Sequence, residues 1–225
     1  MATLQDLINN WRILVGETDA ANSRWTDATH GKFYINLGRR EFSKVSKAIK
    51  SEFRQTTTVG ATVAGSNEEA RYSLDPLIID VLLVYWDGNE VKQAPLSREE
   101  ATGRLYWGRP SASVEQGIPY LYRKIGNSID LFPAPSEAKT LVVVANAMTT
   151  DLASLATNEL EVTPDQQNAV AHYAAYKALT DDGRDGSIYF QEFLRTANQH
   201  RLISNPVTSK GPKQSLMGYM ENVAY

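Results

Sequence analysis

Acid–base and nucleophilic chemistry needs histidines, carboxylates or activated hydroxyls at set separations, and this 225-residue chain offers few such arrangements. Its three histidines are His30, His172 and His200. None stands at the spacing that puts two imidazoles on one helix face for a metal. His172 lies in an Ala-rich stretch and reads as a satisfied core or interface histidine. His200 falls near a helix end, where a cation is favoured. No Gly-x-Ser-x-Gly surrounds any serine, so no nucleophile elbow is present. The acid pairs Glu68-Glu69, Glu99-Glu100 and Asp181-Asp182 are sequence neighbours. Glycoside hydrolysis needs two carboxyls facing each other across about 5–10 Å. Adjacent residues do not face each other on a helix or a strand, so these pairs read as solvated surface. Phosphate-loop, dinucleotide, EF-hand and zinc patterns are missing. The run Gly103 to Trp107 is a glycine followed by an aromatic pair, not a phosphate cradle. The expectation is a protein that is not an enzyme and takes no cofactor and no metal.

Binding chemistry has more to work with. The net charge of −3 argues against a surface that grips DNA phosphates everywhere, but permits a local basic patch. Arg39, Arg40, Lys44, Lys47 and Lys50 supply one, on the polar side of the second helix. They suit a solvated face near a helix C-terminus, or a contact to an acidic partner or DNA. In Pro119 to Lys124, PYLYRK, tyrosines alternate with cations. Such a strand can stack single-stranded bases, or can simply show Tyr120 and Tyr122 on one face and Leu121 and Arg123 on the other. The absence of cysteine excludes disulfides and thiolate metal sites and fits a reducing compartment. No signal peptide is readable, and the longest apolar run, near Leu77 to Trp86, is too short to span a bilayer.

The elements that would position these groups follow from periodicity and punctuation. Leu4, Leu7, Ile8, Trp11, Leu14 and Val15 recur at helical spacing behind a Thr3/Asp6 cap, and Gly16 ends that helix. A second helix starts at Thr26 or Thr29 and runs to about Ile49, with Ile35, Gly38, Phe42, Val45 and Ile49 as its apolar stripe. From Phe53 the Thr/Val/Gly-rich composition turns extended, followed by a loop at Asn67 to Ala70 and a short strand to Leu74. Leu77 to Trp86 is the strongest strand, and Asp87-Gly88 turns it into GNEVKQ. A Ser97/Glu100 capping box predicts a short helix, and Gly108 to Gly117 a loop. Pro119–Ile125 and Ser128–Phe132 form a second hairpin, stopped at Pro133-Ala134-Pro135. Thr140 to Ala147 is a further strand. Residues 149–162 read as a linker. Thr163-Pro164-Asp165-Gln166 opens a helix with Val170, Tyr173, Ala174, Lys177 and Ala178 along one side, and Gly183 to Gly186 breaks it. A last helix runs from Ser187 to about Ile203.

The expected fold is α+β. N- and C-terminal helices (1–52 and 151–204) form a bundle, an antiparallel β module (53–150) is inserted, and an extended tail (205–225) follows. The tail starts Gly-, Pro-, Ser- and Lys-rich and cannot fold alone. Its end carries Leu216, Met217, Tyr219, Met220, Val223 and Tyr225, apolar anchors suited to a segment that orders on a partner.

Val84-Tyr85-Trp86-Asp87-Gly88-Asn89, the run Gly126 to Pro135, and the Thr163-Pro164 opening of an Ala- and Tyr-rich helix resemble head-to-tail adaptor (connector) proteins of tailed bacteriophages. The likeness is greatest to adaptors of short-tailed phages. It implies a structural virion protein in the neck between head and tail, made in the host cytoplasm. It further implies a twelvefold homo-oligomeric ring below the portal, enclosing a channel through which DNA passes without specific binding. The implied partners are the portal protein, reached by the C-terminal anchors, and a tail tube or nozzle protein; no membrane is involved. The alternatives are a β-module binding protein for nucleic acid or carbohydrate and, after that, a glycan hydrolase.

Overall fold

The computed structural model describes residues 2–19, 23–58, 71–94 and 116–204. Helix α1 (Leu4–Val15) is capped as its sequence predicts. The Thr3 hydroxyl accepts from the Asp6 amide, and the Asp6 carboxylate accepts from the Thr3 amide at 2.7 Å. Gly16 takes φ +78 and ends it. Arg12, on the buried face of α1, holds the following loop by donating to Asp27 and to the carbonyls of Glu17 and Trp25.

The second helix is shorter than expected. A π-helical turn, Asp27–Gly31, precedes α2 (Lys32–Ser46), and Lys47 ends it with a left-handed φ of +51. Helix α3 (Pro164–Asp181) starts at the Thr163/Gln166 box, and α4 (Ser187–Ser204) follows the break at Gly183, φ +74. Ala169, Val170, Ala171, Ala174, Ala175 and Ala178 are all buried, so α3 offers small side chains to its neighbours on several sides. The closest approach is at Gly38, where a Cβ would sit 2.6 Å from the Val170 carbonyl oxygen. Lys177, expected along the packed side of α3, instead pairs with Asp181 at 2.6 Å on its outer side. The four helices share one core built on Trp11, Ile35, Phe42, Val170 and Phe193.

A second core belongs to a seven-stranded sheet. Its strands are β1 (Lys50–Thr56), β2 (Arg71–Ser73), β3 (Ile78–Trp86), β4 (Asn89–Gln93), β6 (Leu121–Ile125), β7 (Ser128–Phe132) and β9 (Thr140–Ala147), in the order β1-β9-β3-β4-β6-β7-β2. Asp87 and Gly88 both take positive φ in the β3–β4 turn, as their dipeptide predicts. The sheet is not wholly antiparallel: β4 and β6 pair in parallel, Lys92 with Leu121 and Gln93 with Tyr122. The long stretch between them returns the chain to the starting end, which a two-residue turn cannot do. Ala134–Pro135 does more than stop a hairpin. It forms a short strand, β8, paired in parallel with β5 (Gln116–Gly117). The sheet core gathers Val84, Trp86, Ile129, Leu131, Leu141 and Val143. Among the described residues no helix is long and apolar enough to cross a membrane. The expected loop at Asn67 to Ala70, the short helix opened by Ser97 and most of the loop from Gly108 fall outside the described residues.

Candidate functional site

The five cations of the expected basic face are not on one face. Arg40 and Lys44 lie on α2, half-exposed, and pair with Asp151 and Glu41. Lys47 sits at the left-handed end of the helix and pairs with Asp80 of β3. Lys50 opens β1. Arg39 is buried, at 1% exposure. It donates to the Thr150 carbonyl, to Glu159 at 3.0 Å and to Glu161 at 2.9 Å. An acidic partner or a phosphate cannot reach Arg39, because two carboxylates of this chain already hold it. A buried guanidinium without them would carry a large desolvation cost.

These pairings belong to a feature that the sequence presents as a linker. Residues 149–153 run along α2 against one polar edge at helical spacing. The Thr149 amide donates to the Ser43 hydroxyl, and the Arg39 guanidinium reaches the Thr150 carbonyl. Asn36 holds Leu152 at both polar groups, accepting from its amide at 2.9 Å and donating to its carbonyl at 3.2 Å. Lys32 donates to the Ala153 carbonyl at 2.7 Å. The strap then reaches α1, whose Leu4 and Gln5 amides donate to the carbonyls of Thr157 and Leu155. Glu159 closes it by accepting from the amides of Glu161 and Val162, while Leu152 and Val162 enter the helical core. The return chain from β9 is thus clasped to α2 and α1 by side chains. The Glu-Leu-Glu-Val alternation at 159–162 would turn Leu160 and Val162 inward, but Leu160 is exposed and Glu159 is buried against Arg39, so local periodicity misleads here.

A second buried carboxylate organises the far side of the sheet. Asp130 of β7, 2% exposed, accepts two hydrogen bonds from Arg71 of β2 at 2.7 and 3.0 Å, and Arg123 of β6 approaches at 3.5 Å. Arg123 therefore turns toward a carboxylate instead of serving a base-stacking strand. Tyr122 is buried in the sheet core, while Tyr120 is exposed and lies just outside β6.

The histidines carry no shared site. His172 stacks on Tyr189, with ring centroids 6.1 Å apart. Its Nδ1 is buried with no hydrogen-bond partner among the described residues, so it is packed but not satisfied. Burial pushes its imidazole below the ordinary range; Glu192 opposes that and Arg195 adds to it. His200 lies 3.7 Å from Asp165 and edge-on to Phe42. The Asp181-Asp182 pair is engaged by Lys177, Tyr34 and Arg24. Among the described residues no group of three or more His, Asp or Glu could hold a metal ion. The six tail anchors, Leu216 to Tyr225, fall outside the described residues.

No curated protein matches the chain. One protein family does, described as SU10 adaptor protein, and its match covers residues 2–210. That span takes in α1, the whole sheet, the strap and α4. The chain belongs to the SU10 adaptor protein family, the adaptors of bacteriophage particles.

Proposed function

We propose that this chain is a head-to-tail adaptor that assembles as a ring below the portal, joins it to the tail and encloses the DNA exit channel. The family match across 2–210 is the observation that carries this proposal. The strap adds a physical argument. A connector must transmit load between two neighbours, and here the chain leaving β9 is clasped to α2 and α1 by the buried Arg39–Glu159 pair and by paired backbone groups, while Lys47 pairs with Asp80 of β3 at the part-exposed junction. In this scheme the helices 1–52 and 151–204 form the frame, and residues 53–150 form an inserted module that faces neighbouring copies or the tail component.

The pairing of Arg39, Arg40, Lys44 and Lys47 with carboxylates of the same chain suits a channel protein. Cations already neutralised release few DNA counterions and grip passing phosphates weakly. In this proposal Leu216, Met217, Tyr219, Met220, Val223 and Tyr225 reach the portal. They lie beyond the residues that match the family, as a contact particular to this chain's own partner would. Buried apolar anchors contribute about 1.5–3 kcal/mol each, and repetition around a ring multiplies weak tails into one firm attachment.

The test is co-assembly with the portal. Full-length protein mixed with portal rings is expected to give a complex of defined mass, and removal of residues 216–225 to weaken it while circular dichroism stays unchanged. Undiminished binding after the deletion would remove the tail from the mechanism.

A further inference from the structure

We propose that the outer face of the sheet is a two-fold docking surface for a second copy of this chain. Phe53, Val84, Val91 and Val143 turn into the sheet core. Their neighbours along each strand alternate to the opposite side, and the register sorts those into two rows across β1, β9, β3 and β4. In the first row Glu52 lies beside Val144, and Val144 beside Leu83. Continuing the Val84–Val91 pairing by one residue sets Lys92 at the end of this row. In the second row Arg54 lies beside Val142, Val142 beside Tyr85, and Tyr85 beside Glu90. A register shift between Val81 and Leu83 brings Leu82 to the surface too, and Leu82 and Leu83 are 36% and 40% exposed. Val142, Val144 and Tyr85 are half-buried, and the four charged residues at the row ends are exposed. An apolar centre inside a charged rim is the make-up of a protein–protein contact.

The occupant follows from the charges. From β1 to β4 the first row begins negative and ends positive, and the second begins positive and ends negative. A two-fold axis parallel to the strands, between β9 and β3, sets β1 of one copy over β4 of the other. Glu52 then meets the second copy's Lys92, and Arg54 meets its Glu90, each contact made twice. In the centre Val144 opposes Leu83 and Val142 opposes Tyr85, so a smaller side chain meets a larger one at each place and the layer packs evenly. An axis across the strands also pairs opposite charges, Glu52 with Arg54, but sets Leu83 on Tyr85 and Val142 on Val144, crowding one side and leaving the other thin. The Glu52–Arg54 pair within β1, at 3.0 Å, competes little, because both side chains are more than half exposed. A two-fold contact closes at two copies, whereas a ring needs a heterologous one. The dimer is therefore the portal-free form of the chain, and it does not depend on ring assembly.

Sedimentation equilibrium of full-length wild-type protein without portal, over a concentration series, is expected to show monomers in exchange with dimers. Glu52→Lys and Lys92→Glu each bring like charges together at two places in the dimer. Each is expected to raise its dissociation constant at least about tenfold, with an unchanged thermal midpoint because both sites are exposed. Mixed one to one, the two variants meet with opposite charges at every rim position, and dimers should return. The axis across the strands allows no such recovery, because Glu52→Lys would there face Arg54. Wild-type protein that stays monomeric at every concentration, or single variants that dimerise like wild type, would overturn the docking surface. Weakened variants whose mixture does not recover would overturn this pairing of the two copies. Ring assembly is read separately, with the portal present, so its failure and the failure of the dimer are distinguishable.

Discussion

Removing Arg39 tests whether the strap holds the two cores together. The guanidinium is 1% exposed, and the Glu159 carboxylate against it is fully buried, at 0%. Glu161 is about one-third exposed, so water screens its share of the interaction. Arg39→Met keeps the volume of the stem but leaves the Glu159 charge buried without its partner. Breaking such a pair from one side costs about 3–5 kcal/mol, against a total stability of about 5–15 kcal/mol for a typical domain. Glu159 also accepts two backbone amides, at 2.8 and 3.0 Å, so an apolar replacement would orphan those. Glu159→Gln keeps an acceptor oxygen and removes the charge. The double variant Arg39→Met/Glu159→Gln should therefore recover much of the loss. Urea unfolding followed by tryptophan fluorescence would measure all three, since Trp11 and Trp25 lie in the helical core. Hydrogen exchange at 150–162 should rise in Arg39→Met. A single variant within about 1 kcal/mol of wild type, or a double variant worse than the single, would refute the buried-pair argument.

Two further outcomes follow from close contacts. Gly38→Ala brings a Cβ within 2.6 Å of the Val170 backbone oxygen, which has no rotamer to escape by. The cost of overpacking, about 1–3 kcal/mol, should exceed the propensity gain of about 1 kcal/mol and lower the thermal midpoint by a few degrees; an unchanged or raised midpoint would contradict the packing. Burial lowers the His172 pKa, so the folded state prefers the neutral ring and the unfolded chain binds the proton more readily. Its contribution is complete above the ordinary value of 6.5 and is lost as pH falls below it toward the folded value. The fall in thermal midpoint between about pH 7.5 and pH 5.5 should therefore be smaller in His172→Phe, and an equal fall in both proteins would remove His172 from the acid response.

Local signals carried most of the elements. Thr3/Asp6, Gly16, Asp87-Gly88 and Thr163/Gln166 act within a few residues, and each does in the fold what its spacing predicts. What sequence did not reveal depends on partners far apart in the chain. Arg39 reads as one cation in a basic row because its carboxylates lie 120 residues or more away. The strap reads as a linker because its order comes from Ser43, Asn36 and Lys32, not from its own periodicity. The parallel β4–β6 pairing needs the stretch between the strands to bring the chain back, and no local pattern encodes that return. The end of α2 at Ser46 is hidden in the sequence because the apolar stripe continues to Ile49 through a left-handed residue, Lys47, that is not glycine.

The adaptor role itself is tested most directly by imaging the full-length chain with its portal by electron microscopy. A closed ring seated coaxially on the portal, with a continuous channel through both and the C-terminal segment on the portal surface, is the predicted result. A chain that remains monomeric beside intact portal rings at high concentration, or one that binds without forming a ring, would contradict it.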